Sequence, residues 1–120
     1  MSHSNGWIAV DLDGTLAHYD KWRGSDHIGE PVPKMLQRVK DWLAEGKEVR
    51  IFTARVSPQA INLNNSTYGL TVGPIQHWCF KHIGKILPVT HEKDMAMAQL
   101  WDDRCVQVIP NTGERADGNA

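Results

Sequence analysis

The chain has 120 residues, of which 41% are hydrophobic and 22% charged, with a formal net charge of −1. Such a length supports one hydrophobic domain without staples, and the near-neutral balance excludes a strong global attraction for nucleic acid. Two cysteines, Cys79 and Cys105, are too few for a disulfide framework. There is no basic leader ahead of an apolar core and no apolar run long enough to cross a bilayer. The sequence therefore points to a soluble protein of the reducing cytoplasm.

Residues 1–6 are small and polar and are expected to fray. Residues 7–12 form a nearly continuous apolar run, the pattern of a strand covered on both faces. It ends in Asp11-Leu12-Asp13-Gly14-Thr15-Leu16, two carboxylates one residue apart. Residues 17–33 lose periodicity and mix polar with aromatic groups, which reads as a flap. From Pro33, the residues Met35, Leu36, Val39, Trp42 and Leu43 recur at helical spacing, and Gly46 is placed to end that helix in a left-handed conformation. Residues 48–52 read as a second strand ending at Thr53-Ala54-Arg55.

A short helix is expected over 58–64, followed by an asparagine-rich turn. Asn65-Ser66-Thr67 has the form of a glycosylation acceptor but lacks a secretory context. A second helix is predicted over 74–82, with Ile75, Trp78, Cys79 and Ile83 along one side and Gly84 as its stop. Residues 86–89 are a short strand candidate. Residues 94–99 read as a brief helix with Lys93 just before it. Leu100-Trp101 then runs into a second acid pair, Asp102-Asp103. Residues 106–109 are predicted as a last strand and 110–120 as a mobile tail.

Strands alternating with helices argue an α/β fold with a mostly parallel sheet, in which ligands bind beyond the carboxyl ends of the strands. Three strand ends carry Asp11/Asp13, Thr53/Arg55 and Asp102/Asp103. If these are neighbours, up to four carboxylates share one crevice. Their mutual repulsion is relieved by a hard divalent cation, and Mg²⁺, which keeps waters and accepts phosphate oxygens, suits such a site. In this arrangement Asp11 could attack phosphorus, Asp13 could transfer the proton, and Thr53 with a lysine would hold the remaining oxygens.

Asp11-Leu12-Asp13-Gly14-Thr15-Leu16 resembles the first motif of the haloacid dehalogenase superfamily. Phe52-Thr53 resembles its second motif, and Trp101-Asp102-Asp103 its acidic fourth. The resemblance spans the chain with the motifs in order. It implies a Rossmann-like three-layer sandwich and Mg²⁺-dependent hydrolysis of a phosphate monoester. Asp11 would be the nucleophile, and Asp13 the acid/base whose backbone carbonyl also meets the metal. Asp102 would be a further metal ligand, supported by Asp103. The second acid, Asp13, places the chain with the phosphatase branch rather than the dehalogenases.

Lys93 is the first choice for the phosphate-contacting lysine of the third motif, with Lys85 and Lys81 as competitors. Segments 17–33 and 56–92 are too short for a large folded cap. The site should therefore be open, covered only by the flap or by a neighbouring subunit of a homo-oligomer. Lys21, Arg23 and His27 in the flap, together with Arg55, are candidates for binding a phosphorylated small molecule, and Trp22 either stacks on substrate or anchors the loop. A polynucleotide-end phosphatase would need a basic track that the charge does not favour. A noncatalytic phosphate-binding module would not need intact Asp11, Asp13, Thr53 and Asp102. His77, Cys79 and His82 read as residues of a packed helix rather than metal ligands, because 77 and 79 diverge on a helix. Trp42, Trp78 and Trp101 read as core.

Overall fold

The computed structural model describes residues 6–118. The strands are β1 (Trp7–Asp11), β2 (Glu48–Phe52), β3 (Val89–Thr90) and β4 (Met97–Trp101). They form one sheet in the order β3-β2-β1-β4, and all three pairings are parallel. The helices are α1 (Pro33–Ala44), α2 (Pro58–Leu63) and α3 (Tyr68–Ile83), with a 3₁₀ turn at Ala54–Val56. The α/β, Rossmann-like expectation is met, because parallel neighbours carry their carboxyl ends to one edge.

Strand period and helix period meet in one core. Ile8, Val10 and Leu12 alternate with Trp7, Ala9 and Asp11, so the first set faces one side of the sheet. On that side they pack with Val49 and Ile51 against Met35 and Val39 of α1 and Ile75, Trp78 and Cys79 of α3. Trp7 and Ala9 are buried on the other side. There the indole of Trp7 donates to Asp94 at 2.8 Å, and Arg50 lies 4.3 Å from its ring centroid. The β3–β4 connection thus meets, at Trp7, the face that the long helices leave.

Helix ends follow local chemistry. Pro33 opens α1, and Gly46, with φ of 81°, lets the backbone turn out after its last residues. Helix α3 begins six residues earlier than Pro74 suggests. Thr67 caps it by accepting from the amide of Leu70 at 3.1 Å, and Pro74 lies inside it. The spacing Thr71, Ile75, Trp78, Cys79 buries one stripe and outweighs the glycines and proline. Gly84 ends it with φ of 87°, as its sequence position predicts.

Four expectations are corrected. Residues 94–99 are not a helix: Met97–Trp101 forms β4, because pairing with β1 satisfies its backbone despite helix-forming Met, Ala and Gln. Residues 106–109 form no strand of the sheet. They fold back on the following turn, with the Ile109 amide donating to Glu114 and a bridge from Val108 to Arg115. The tail is therefore structured through this small hairpin. The third strand is shifted from 86–89 to Val89–Thr90, while Leu87 is buried. The predicted fraying falls mostly on residues 1–5, which lie outside the described residues, as do 119–120 of the tail.

Burial separates the two faces of α3 and gives a direct test. Ile75 is fully buried, whereas Leu70 is 67% exposed. Ile75→Ala is expected to cost about 2–4 kcal/mol in urea unfolding and Leu70→Ala under about 0.5 kcal/mol. Equal losses would mean that α3 presents a different stripe to the sheet.

Candidate active site

The turn after β1 is closed by its own backbone. The Leu16 and Ala17 amides donate to Leu12, and the Gly14 amide returns to Ala17 at 2.8 Å. Gly14 has φ of 89°, and a Cβ there would lie 2.7 Å from an Asp103 oxygen. Glycine is thus required twice, for the left-handed backbone and for the close approach of the second acid pair. Ala17 and His18 then pair with Pro31 and Glu30, so the flap begins and ends at a two-stranded neck.

The sheet brings the acids together as the strand ends predict. Asp11, Asp102 and Asp103 each offer a carboxylate oxygen within 4.8 Å of the other two. The Thr15 hydroxyl lies 3.1 Å from both Asp11 and Asp103. Trp101 fixes the approach of Asp102 and Asp103: its ring sits 5.2 Å from Trp42 of α1, with Arg38 5.3 Å from its centroid.

Burial, then the hydrogen bond shared with Asp103 and the charge of Asp102, push the Asp11 carboxyl up to about 7. Desolvation also acts to raise Asp103, but the bond to Asp11, its backbone contacts and Thr15 outweigh it and hold Asp103 below the usual range. Of the two, Asp11 is the more buried, and it is the carboxyl held above its usual range. Three converging carboxylate oxygens of this kind fit a hard cation such as Mg²⁺, and Asp11, Asp102 and Asp103 are the residues that could hold it.

The Asp13 side chain is engaged by the strand end beside it. Arg55 grips it with both arms, Nε donating at 2.7 Å and Nη2 at 2.9 Å. The same guanidinium donates to the carbonyls of Ser25 at 3.3 Å and His27 at 2.9 Å, and lies 4.8 Å from the Trp22 centroid. Arg55 is buried, so it acts as a tie between the acidic turn and the flap.

Thr53 is also buried. Its hydroxyl accepts from the Arg55 amide at 3.1 Å, which leaves its own proton free to donate. Asp11, Asp13, Thr53 and Arg55 line one cavity of about 360 Å³.

The flap candidates divide. Trp22 lines the cavity and donates to Asn64 at 3.0 Å, so it both anchors the loop and faces the site. Arg23 instead pairs with Asp20 at 2.6 Å and, with His27, borders a separate recess. His27 serves the site through its carbonyl, while its ring lies outside, and Lys21 is exposed away from the cavity lining. Lys93 is exposed in the β3–β4 connection beside Asp94, with no helix following it.

Sequence reasoning missed Arg104, Tyr19, Ala60 and Leu63, which line the cavity. Arg104 follows the acid pair directly and forms no ion pair among the described residues, Asp103 included. Its position after two acids was the available signal. His77, Cys79 and His82 do not converge: Cys79 is buried, its thiol pushed up to about 11 by desolvation, His82 packs 4.7 Å from the Trp78 ring, and His77 is exposed.

No protein-family model matches this chain, and no curated protein matches it. Among solved structures it is similar to a conserved protein coded by a locus of Bacteroides thetaiotaomicron, with TM-score 0.57 and 21% identity over 88% of this chain and 82% of that one. The likeness supports the fold. Among the described residues no helix is long and apolar enough to cross a membrane.

The raised Asp11 carboxyl links site and stability. Below pH 4 folded and unfolded chains both hold this proton. Between about 4 and 7 only the folded chain keeps it, so folding stability falls as pH rises through this window and the penalty is complete above it. In EDTA, Asp11→Asn is expected to raise the unfolding temperature by several degrees at pH 8, about 1–2 kcal/mol after solvent screening, with little change at pH 4. A gain that is the same at both pH values would show that Asp11 carries no such charge penalty. Gly14→Ala is expected to destabilise by about 1–2 kcal/mol, and unaltered thermal unfolding would contradict the close approach of Asp103.

Proposed function

We propose that the chain is a Mg²⁺-dependent phosphatase of the haloacid dehalogenase type that hydrolyses a phosphate monoester through a phospho-aspartate on Asp11. The observation that carries this reading is the position of Asp11. It stands at the carboxyl end of the central β1, between Thr53 and the Asp102–Asp103 pair, and opens on the cavity.

One oxygen of Asp11 attacks phosphorus as the ester P–O bond breaks, and the leaving oxygen takes a proton from Asp13. Water then attacks the same phosphorus and gives a proton back to Asp13. The Asp11–phosphorus bond breaks, and inorganic phosphate leaves. Thr53 donates its hydroxyl proton to a non-bridging oxygen, and Arg104 supplies the positive charge that the sequence assigned to Lys93. Mg²⁺, when held by Asp11, Asp102 and Asp103, offsets their charge and polarises the phosphoryl group.

Asp13 must hand over a proton while Arg55 occupies both its oxygens. The proposed cycle therefore includes loosening of this clasp, and because Arg55 also holds Ser25 and His27, loosening and flap motion go together. Arg55 is a positioning residue in this scheme.

The test is hydrolysis of p-nitrophenyl phosphate with and without Mg²⁺. Asp11→Asn is expected to lose about 10³-fold or more of kcat. Arg55→Lys, which keeps the charge but loses the fork, is expected to lose about 10- to 100-fold in kcat and to shift the pH profile. Activity that survives Asp11→Asn, or no hydrolysis of any phosphate ester, would overturn the reading. The latter outcome would favour a noncatalytic phosphate-binding module with Asp13 permanently clasped.

A further inference from the structure

Part of the cavity lining is unsuited to holding a charged phosphate. Besides the acids, Thr53 and the arginines, the cavity is lined by Tyr19, Trp22, Ala60 and Leu63. Tyr19 is 46% exposed, Trp22 41% and Leu63 79%. Single exposed apolar side chains are ordinary, but three large ones around one recess are the composition of a ligand wall.

Trp22 is braced for such a role. Its Nε1 donates to the Asn64 side-chain oxygen at 3.0 Å, and Arg55 sits 4.8 Å from its centroid. A ring held from the edge and by a cation loses little freedom when a second ring stacks near it. The polar group nearest to it is engaged, since Asn64 spends its oxygen on Trp22 and its amide on the Ala60 carbonyl at 2.8 Å. A sugar or polyol lying on this wall would meet few partners for its hydroxyls beyond the Tyr19 hydroxyl and the remaining capacity of Asn64. A flat apolar ring needs none.

We propose that the recess takes a small phosphate monoester whose leaving group carries a planar aromatic ring, seated against Trp22 and Leu63 while the phosphate meets Asp11, Thr53 and Arg104. This inference rests on the phosphatase reading for the placement of the phosphate. The volume, about 360 Å³, lies at the small end of the range for small-molecule sites. It suits a phosphate with one ring system. The shared chemistry covers an aryl phosphate and a nucleoside monophosphate, which differ in whether a sugar separates ring from phosphate.

The experiment measures kcat/KM in Mg²⁺ for p-nitrophenyl phosphate, a nucleoside 5′-monophosphate, glycerol phosphate and glucose 6-phosphate. Calorimetric binding of the same four esters to the wild type and to Asp11→Asn runs beside it. At least a tenfold preference for one of the ring-bearing esters is expected, and which one wins identifies the source. Leu63→Ala and Trp22→Ala are expected to shrink that preference to under threefold by raising KM for the ring-bearing ester, and Trp22→Phe to restore most of it. Leu63 is so exposed that its variant folds normally, which guards against collapse of the flap in Trp22→Ala.

Hydrolysis without ring preference would overturn this inference and leave the phosphatase reading intact. Ring-selective binding without hydrolysis would sink the phosphatase reading and support the inference. Binding without ring preference, or a phosphorylated oligonucleotide preferred over the mononucleotide, would overturn it.

Discussion

The buried guanidinium of Arg55 is the constraint on which the site depends. An arginine is removed from water only when its donors are met, since an unpaired buried charge costs several kcal/mol. Here Asp13 takes two of its hydrogen bonds and the carbonyls of Ser25 and His27 take two more. Those partners come from the turn after β1 and from the flap, and Arg55 itself follows β2. One residue therefore sets the distance between two strand ends and the loop that shelters them. The flap has few core residues of its own, so without this tie its backbone carbonyls would have to find other donors.

The acid cluster poses the opposite electrostatic problem. Among the described residues Asp11, Asp102 and Asp103 converge without an ion-paired basic side chain, since Arg55 is spent on Asp13 and the Arg38 guanidinium lies against Trp101. Arg104 acts on Asp103 only through its nearby charge. Part of this cost appears as the raised pKa of Asp11, and Thr15 bridges Asp11 and Asp103. Gly14 makes the convergence sterically possible. A site that stores charge in this way stabilises any cation or electrophile that enters it, which is a property of the geometry rather than of one residue.

The three strand ends were legible because they rest on strong local signals: apolar runs of strand length stopped by acids or by Thr53. Helix α1 was legible for the same reason, with Pro33 and Gly46 marking its ends. What escaped depended on tertiary pairing. Met97–Trp101 has helix-forming residues and became a strand because β1 offered it a partner. Pro74 looked like a helix start and lies within α3 because Thr67 caps earlier and a buried stripe carries the helix past it. Arg55 illustrates a different limit. Its residue type suggested an anion-binding role, but only the folded chain reveals that Asp13, 42 residues away in sequence, supplies the anion.

Lys93 and Arg104 extend that lesson to the site's cation. Expecting Lys93 at a helix N-terminus depended on a helix that β4 replaces. With β4 parallel to β1, residues before Met97 lead to the amino end of the sheet, where Asp94 holds Trp7, while residues after Trp101 emerge at the carboxyl end. The chain direction thus favours Arg104 over Lys93 as a neighbour of the acids. A strand leaving the sheet presents its next few residues at the same strand end, so the acid pair and the arginine that follows it emerge together. The Arg104 amide donates to Asp102 at 2.8 Å, so the turn that positions the acid also positions the cation. That turn presents Arg104 to the cavity that Asp11 lines and Asp102 with Asp103 to a neighbouring recess beside Gly14 and Thr15, and their placement follows from the register of β4 against β1.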